Sequence, residues 1–158
     1  MGIIHLVRDN LITMQVDAIV NSANVGLIAG AGLCGQIHDA AGSRMDIECK
    51  KLGGCERGEA KLTRGYNLPA MYVIHTVGPV YGMHGGEEPG MLYSCYYESM
   101  RLANDNDVAS IGFPYISSGV YGYPFEEVKT IAQQSISDFF EDFPETSIEK
   151  VFLVEYAK

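Results

Sequence analysis

The chain is predicted to be an α/β protein, a three-layer α/β/α sandwich around a mixed, largely parallel sheet. Three observations lead there. Short β-branched runs alternate with longer amphipathic stretches, the order that yields a sheet covered by helices on both faces. No repeat, low-complexity run or linker divides the 158 residues, so one domain over residues 1–158 is expected. Hydrophobic residues make up 47% of the chain, enough for a sizeable core without disulfide or metal staples.

The elements follow in order. Ile3-Ile-His-Leu-Val7 and Val16-Asp-Ala-Ile-Val20 flank a polar turn at Arg8-Asp-Asn10, and are expected as adjacent strands of a buried sheet. Cys34 to Leu52 is predicted helical from the spacing of Ile37, Ala40, Ala41 and Met45, with a break at Gly42-Ser43 and an end at Gly53-Gly54. Strands at Ala60-Lys-Leu-Thr63 and Tyr72 to Val77 surround a turn at Gly65 to Pro69. Tyr81 to Pro89 is a polar surface loop. Leu92, Cys95, Tyr96, Ser99, Met100 and Ala103 place one apolar face on a helix from Met91 to Asn104. Pro124 opens another helix, with Glu126 and Glu127 in its first turn and Phe139-Phe140 packed inward near its end. Lys150 to Tyr156 is the last strand.

Charge narrows the range of partners. A net charge of −9 repels polynucleotides, whose binding usually needs a basic face. The same field opposes any phosphate ligand, so anion binding must rest on backbone N–H groups. No apolar run approaches the ~20 residues that cross a bilayer, and the start Met1-Gly-Ile-Ile-His5 lacks signal-peptide character. A cytoplasmic monomer without membrane association is expected, a nuclear location being the alternative in a eukaryote. Cys34, Cys49, Cys55 and Cys95 lack paired spacing and are expected as free thiols. Neither they nor His5 and His84 show metal-ligand spacing, so no metal and no cofactor is expected.

Two glycine-rich segments carry the chemistry. Asn21-Ser-Ala-Asn24 leads into Ala29-Gly-Ala-Gly-Leu-Cys-Gly-Gln-Ile-His38, and Pro114-Tyr-Ile-Ser-Ser-Gly-Val-Tyr-Gly-Tyr-Pro124 follows another apolar run. Each reads as strand, glycine loop and helix N-terminus, where free N–H groups and the helix dipole favour phosphate. Gly30, Gly32 and Gly35 give little on their own, since turn glycines are common, but a helix starting near Leu33 would aim this loop's N–H groups at one phosphate. Two such loops could clamp one diphosphate. By residue type alone, Asn21 is expected to satisfy turn backbone groups, Asn24 to face the ligand, and Tyr123 with Pro124 to fix the second loop's exit into its helix.

With Gly58 to Pro69 and Val73-Ile-His-Thr-Val-Gly-Pro79, these blocks stand in an order that resembles the macro domain family, from about Val7 to the C-terminus. The resemblance implies a pocket for ADP-ribose and, in many members, hydrolysis of ADP-ribosyl groups from proteins. It matches Asn24 to the residue that hydrogen-bonds the distal ribose, and Ala23, Gly30, Ala31, Gly32 and Leu33 to the first phosphate loop, where the family usually has a glycine in place of Ala31. Ser117, Ser118, Gly119, Val120 and Tyr121 match the second loop, with the Tyr121 ring beside the distal ribose. Asn10 and Leu11 match the adenine site, Asn10 accepting from the adenine amino group through its amide oxygen. Tyr156 is a stacking candidate, or else a C-terminal core anchor.

Cys34 departs from the MacroD-type pattern, which usually has an aspartate thought to orient the hydrolytic water. As a neutral thiol it would accept a proton poorly and is expected not to be a nucleophile, although a helix N-terminus favours thiolate. His38 lies four residues on, on the same helical face, and either bonds the ribose site or Cys34, or is a core histidine satisfied by backbone. His75 is expected to hold the Gly78-Pro79 turn. The resemblance implies hydrolysis of ADP-ribosyl esters, on acidic protein side chains or in O-acetyl-ADP-ribose, with Asn24, His38 and Cys34 at the reacting end. A non-catalytic reader of ADP-ribosylated proteins and an ADP-ribose 1″-phosphate phosphatase are the alternatives.

Overall fold

The computed structural model describes residues 2–156. Strand β1 (Ile3–Asp9) leads through a single 3-10 turn (Leu11–Thr13) to β2 (Ala18–Ser22), then helices α1 (Gly32–Ala41) and α2 (Ser43–Leu52). Strands β3 (Ala60–Arg64) and β4 (Tyr72–Thr76) precede α3 (Glu88–Asp105), β5 (Ser110–Phe113), α4 (Phe125–Asp142) and β6 (Lys150–Tyr156). Among the described residues no helix is long and apolar enough to cross a membrane.

The sheet has six strands in the order β1-β6-β5-β2-β4-β3. All pairs are parallel except β3 with β4, which gives the mixed, largely parallel sheet the sequence predicts. One pairing expectation is corrected. β1 is not beside β2: it lies at the sheet edge against β6, with Ile3 opposite Lys150 and Asp9 opposite Tyr156. Parallel neighbours need a crossover of a dozen or more residues, and the connection from Asn10 to Asp17 is too short to supply one.

Alternation along the strands divides the interior into two layers. Ala18 and Val20 of β2 and Ile74 of β4 face α3 and α4, joining Tyr96, Met100, Phe139 and their neighbours. Ile19 and Val73 face the other way, onto Ile37, Ala41, Met45 and Cys49 of α1 and α2. By the same parity Asn21 and His75 belong to the α1/α2 side. Two polar side chains are thereby placed in a layer otherwise built from apolar groups.

The helix boundaries have local causes. Gly42, at φ 95°, separates α1 from α2 at the expected break and donates its N–H to the His38 carbonyl at 3.0 Å. Gly53 ends α2 in the left-handed conformation, at φ 74°. α3 starts at Glu88 with Pro89 in its first turn, earlier than the sequence spacing indicates, so only the first part of the predicted polar loop is loop. Phe139 and Phe140 are buried against the sheet as expected.

The arrangement of the crossovers positions the site. After β2 the chain turns to α1 on one face, whereas after the neighbouring β5 it turns to α4 on the opposite face. The two glycine loops diverge there, and a crevice opens beyond the carboxyl ends of the strands, as at the switch point of doubly wound sheets.

Candidate functional site

A cavity of about 590 Å³ fills that crevice, a size suited to a nucleotide-scale ligand. Ala23, Asn24, Gly30, Ala31, Gly32 and Leu33 form one wall. The opposite wall is Ser117 to Tyr121, so the structure brings both predicted loops onto one cavity.

The first wall is shaped by close approaches. A Cβ on Gly35 would stand 2.2 Å from the Gly30 carbonyl oxygen, and one on Gly30 would stand 3.2 Å from Asn24 Nδ2. Gly32 has φ 60°, the left-handed conformation, and opens α1. The α1 N-cap, Ala31, makes no side-chain capping bond, which leaves first-turn N–H groups open for a ligand. Asn24 differs from expectation in part. It lines the cavity, but its amide closes the loop locally, donating to the Ile28 carbonyl at 2.7 Å and accepting from the Ile28 N–H at 3.0 Å.

The second wall is braced from beneath. The Tyr96 hydroxyl, fully buried, donates to the Pro114 carbonyl at 2.8 Å and accepts the Ile116 N–H at 3.0 Å. Ser117 takes φ 67°, and Ser118 Oγ donates to the Tyr115 carbonyl at 2.6 Å. Ser117 Oγ is buried without a hydrogen-bond partner among the described residues. The Gly119 Cβ position meets open space, and Val120 is 88% exposed at the rim. Tyr121 carries the Arg57 guanidinium over its ring at 5.3 Å, and that arginine also donates to the Gly78 carbonyl at 2.6 Å. Tyr123 is buried in the loop's exit, as the sequence reading has it.

At the far end Leu11, Phe125 and Tyr156 line the cavity. Tyr156 is 52% exposed, which excludes the core-anchor reading. Asn10 is a correction. Its Oδ1 accepts the Ile12 N–H at 3.1 Å and caps the short 3-10 turn, so the polar side chain on the cavity is Asp9. The sequence reading missed Asp9 because strand β1 runs through it, two residues further than the apolar run indicates.

Behind the first wall lies a chain of polar side chains. Asn21, fully buried, does not serve turn backbone: its Nδ2 lies 3.7 Å from Cys34 Sγ and 3.1 Å from His75 Nδ1. His75 does not hold the Gly78-Pro79 turn either, since its Nε2 pairs with Thr63 Oγ1 at 2.9 Å across the sheet. His38 is bonded through Nδ1 to Asp46 Oδ1 at 2.7 Å, a side-chain partner rather than the backbone one considered from sequence. Its Nε2 is buried and finds no aligned acceptor among the described residues.

Electrostatics follow from these contacts. Burial alone would push the Cys34 thiol up, but the adjacent His38 ring and the Asn21 amide outweigh it and hold the thiol below its ordinary value. The same thiol, and then Asp46, hold His38 above the usual imidazole value against burial. The downward shift of Cys34 is in the direction that its place in the first turn of a helix favours. Burial pushes Cys49, Cys55 and Cys95 up to about 11 and lowers His75 to about 3. All four cysteines are free. His38, Cys49 and His75 hold potential ligand atoms within 4.8 Å of one another. Both His75 nitrogens are already in hydrogen bonds, so the trio is a hydrogen-bonded knot under the pocket rather than an open ligand set.

Fold and cleft together define a doubly wound α/β domain with a cavity between two glycine loops at the switch point. Comparison with known proteins makes the class specific: the chain belongs to the macro domain family, whose family model matches residues 20–132. A macro domain-containing protein of Chlorobaculum tepidum is 48% identical over 151 residues, 94% of this chain and 86% of the relative. Human ADP-ribose glycohydrolase MACROD2 is 45% identical over 137 residues, 86% of this chain but 32% of that longer protein. Among solved structures, the Trypanosoma brucei macrodomain in complex with ADP-ribose superposes with a TM-score of 0.87 at 43% identity, over 96% of this chain and 63% of that one. A variant of the Oceanobacillus iheyensis macrodomain with ADPR gives 0.88 at 34% identity, over 94% and 82%.

Proposed function

We propose that the cleft binds ADP-ribose and that the chain hydrolyses ADP-ribosyl esters, on acidic side chains of proteins or in O-acetyl-ADP-ribose. The observation that carries this is the pair of facing loops, Gly30 to Leu33 and Ser117 to Tyr121, on one cavity beside a perturbed Cys34 and His38. In this reading the diphosphate lies between the two loops, held by the open N–H groups of α1 and of the second loop. Adenine lies at the Leu11, Phe125 and Tyr156 end, where Asp9 accepts from its amino group with charge assistance.

The distal ribose then falls between Asn24, Tyr121 and Cys34. Asn24 can exchange its bonds to Ile28 for ribose hydroxyls, because a planar amide offers both donor and acceptor. The names of the MACROD2 relatives, as ADP-ribose glycohydrolases, support hydrolysis over mere reading. The four free thiols support a cytoplasmic setting. A single-turnover assay on protein mono-ADP-ribosylated at glutamate, beside calorimetry with free ADP-ribose, tests the whole reading. Binding with release is expected; binding without release makes the chain a reader.

A further inference from the structure

Three side chains on two helices lie close together behind the first wall: the Cys34 thiol donates to the Ile28 carbonyl at 3.6 Å and accepts the Asn21 amide at 3.7 Å, with the His38 ring one helical turn on and Asp46 beyond it. Cys34 is in the first turn of α1 and lines the cavity, with its sulfur 3.8 Å from the Cβ position of Gly30. His38 follows one turn later on the same face, its side chain 2% exposed. Asp46 reaches over from the start of α2 and fixes the His38 ring through Nδ1 at 2.7 Å. That bond leaves Nε2 as the atom free to exchange a proton, and Nε2 is the buried nitrogen without an aligned partner. The turn at Gly42 is what folds α2 back so that Asp46 can reach the ring.

We propose that Cys34, His38 and Asp46 form a nucleophile–imidazole–carboxylate triad, and that ester cleavage passes through an acyl group carried on Cys34 Sγ. This rests on the ester-hydrolase reading above. The Cys34 thiolate adds to the acyl carbon, the bond from that carbon to the ribose oxygen breaks, and the leaving oxygen takes the His38 proton. Water then gives a proton to His38 Nε2 and its oxygen to the thioester, releasing the carboxylic acid and restoring the thiolate and the imidazolium. The sum is ester plus water to acid plus alcohol, with no oxidant or metal.

The groups that share this layer are accounted for. From α2 come Asp46 and Cys49, and from β4 comes His75; the Cys49 thiol, at about 11, and His75, at about 3, stay neutral across the working range. Cys34 and His38 shift each other as a coupled pair, the thiol downward and the imidazole upward. Their shifts set the signs: the lowered thiol value favours the thiolate and the raised imidazole value favours the imidazolium, the charge forms that the first step uses.

Two measurements decide the matter. The first follows alkylation of Cys34 by iodoacetamide against pH, mapped by mass spectrometry. A midpoint below the reference thiol value of ~8.5 is expected, moving up in both Asp46→Asn and His38→Gln. An ordinary thiol profile that His38→Gln leaves unmoved overturns the triad, and this arm needs no turnover. The second runs a single turnover on glutamate-linked ADP-ribose in ¹⁸O-labelled water. The label is expected in the released glutamate carboxylate, with a thioester at Cys34 trapped by acid quench; label confined to the ribose overturns the acyl step. Cys34→Ser is expected to slow turnover by about a hundredfold or more with ADP-ribose binding kept, and Asp46→Asn by about tenfold. A Cys34→Ser protein that binds ADP-ribose and turns over at the wild-type rate refutes the assignment. If wild type binds ADP-ribose and releases nothing, the hydrolase reading fails instead, and the alkylation profile still judges the triad.

Discussion

The two glycine loops face the same cavity but are held in different ways. The loop after β2 is closed by its own atoms: the Asn24 amide bridges both polar groups of Ile28, and Gly35 presses on the Gly30 carbonyl. The loop after β5 is held by the core, through the buried Tyr96 hydroxyl beneath it and the Gly78 carbonyl and Arg57 beside it. A loop held by an exchangeable amide can rearrange around a reacting sugar. A loop anchored to a buried phenol can only clamp. Under the proposed function, chemistry and clamping are divided between the two walls.

Substitutions can break this contrast, and the largest effect is expected on the clamping side. Gly119→Glu places a carboxylate where a phosphate must lie, and because the Cβ position meets open space the fold is left intact. Calorimetry should show ADP-ribose binding lost by more than about a hundredfold, with an unchanged melting temperature; retained affinity would mean that the second loop does not touch phosphate. Next comes the other wall. Gly35→Ala drives a methyl group into the Gly30 carbonyl oxygen, a backbone atom that cannot swing aside. It should cost about 1–3 kcal/mol in denaturant melts and weaken ADP-ribose by at least about tenfold as the first loop distorts.

Tyr96→Phe probes the anchor directly. The Pro114 carbonyl and the Ile116 N–H lose a shared partner inside the core, so a stability loss of about 1–3 kcal/mol is expected, with a several-fold loss of binding. If binding falls while stability holds, the phenol positions the loop without supporting the core. The smallest effect belongs to Asp9→Asn, which removes charge assistance worth roughly 1 kcal/mol and should weaken ADP-ribose about fivefold. The same change should leave the affinity for ribose 5-phosphate, which lacks the base, unaltered.

Local features of this architecture were legible in the sequence, and non-local ones were not. The run Lys150 to Tyr156 has the composition of a strand and forms one with those bounds, because the continuous apolar stretch Val151 to Val154 suits a strand between parallel neighbours. The loops were legible because glycine at a strand end followed by a helix leaves few alternatives. Placing β1 beside β2 failed because pairing depends on which crossovers are long enough, not on the strands themselves. Asn10 and Asp9 were confused because a strand's end decides which of two neighbours faces the ligand, and capping the 3-10 turn claims Asn10. Asp46 carries no sequence signal at all: on an exposed helix turn it looks like any solvated carboxylate until α2 folds back on α1. Asn21 and His75 were misassigned for the same reason, since their partners are brought up only by the fold: Cys34 of α1, Thr63 of β3 and each other.

The place of β1 at the sheet edge bears on how the protein is made. Its strand partner is β6, so β1 has no strand to pair with until β6 has been synthesised. Asp9, Val154 and Tyr156, all on the cavity, sit on these two strands. A nascent chain can assemble β2, β4 and β5 with their helices and still lack the wall at the adenine end. Ligand can therefore stabilise the domain only once β6 has joined β1, and closure of this longest-range pair is expected to be a late event in folding.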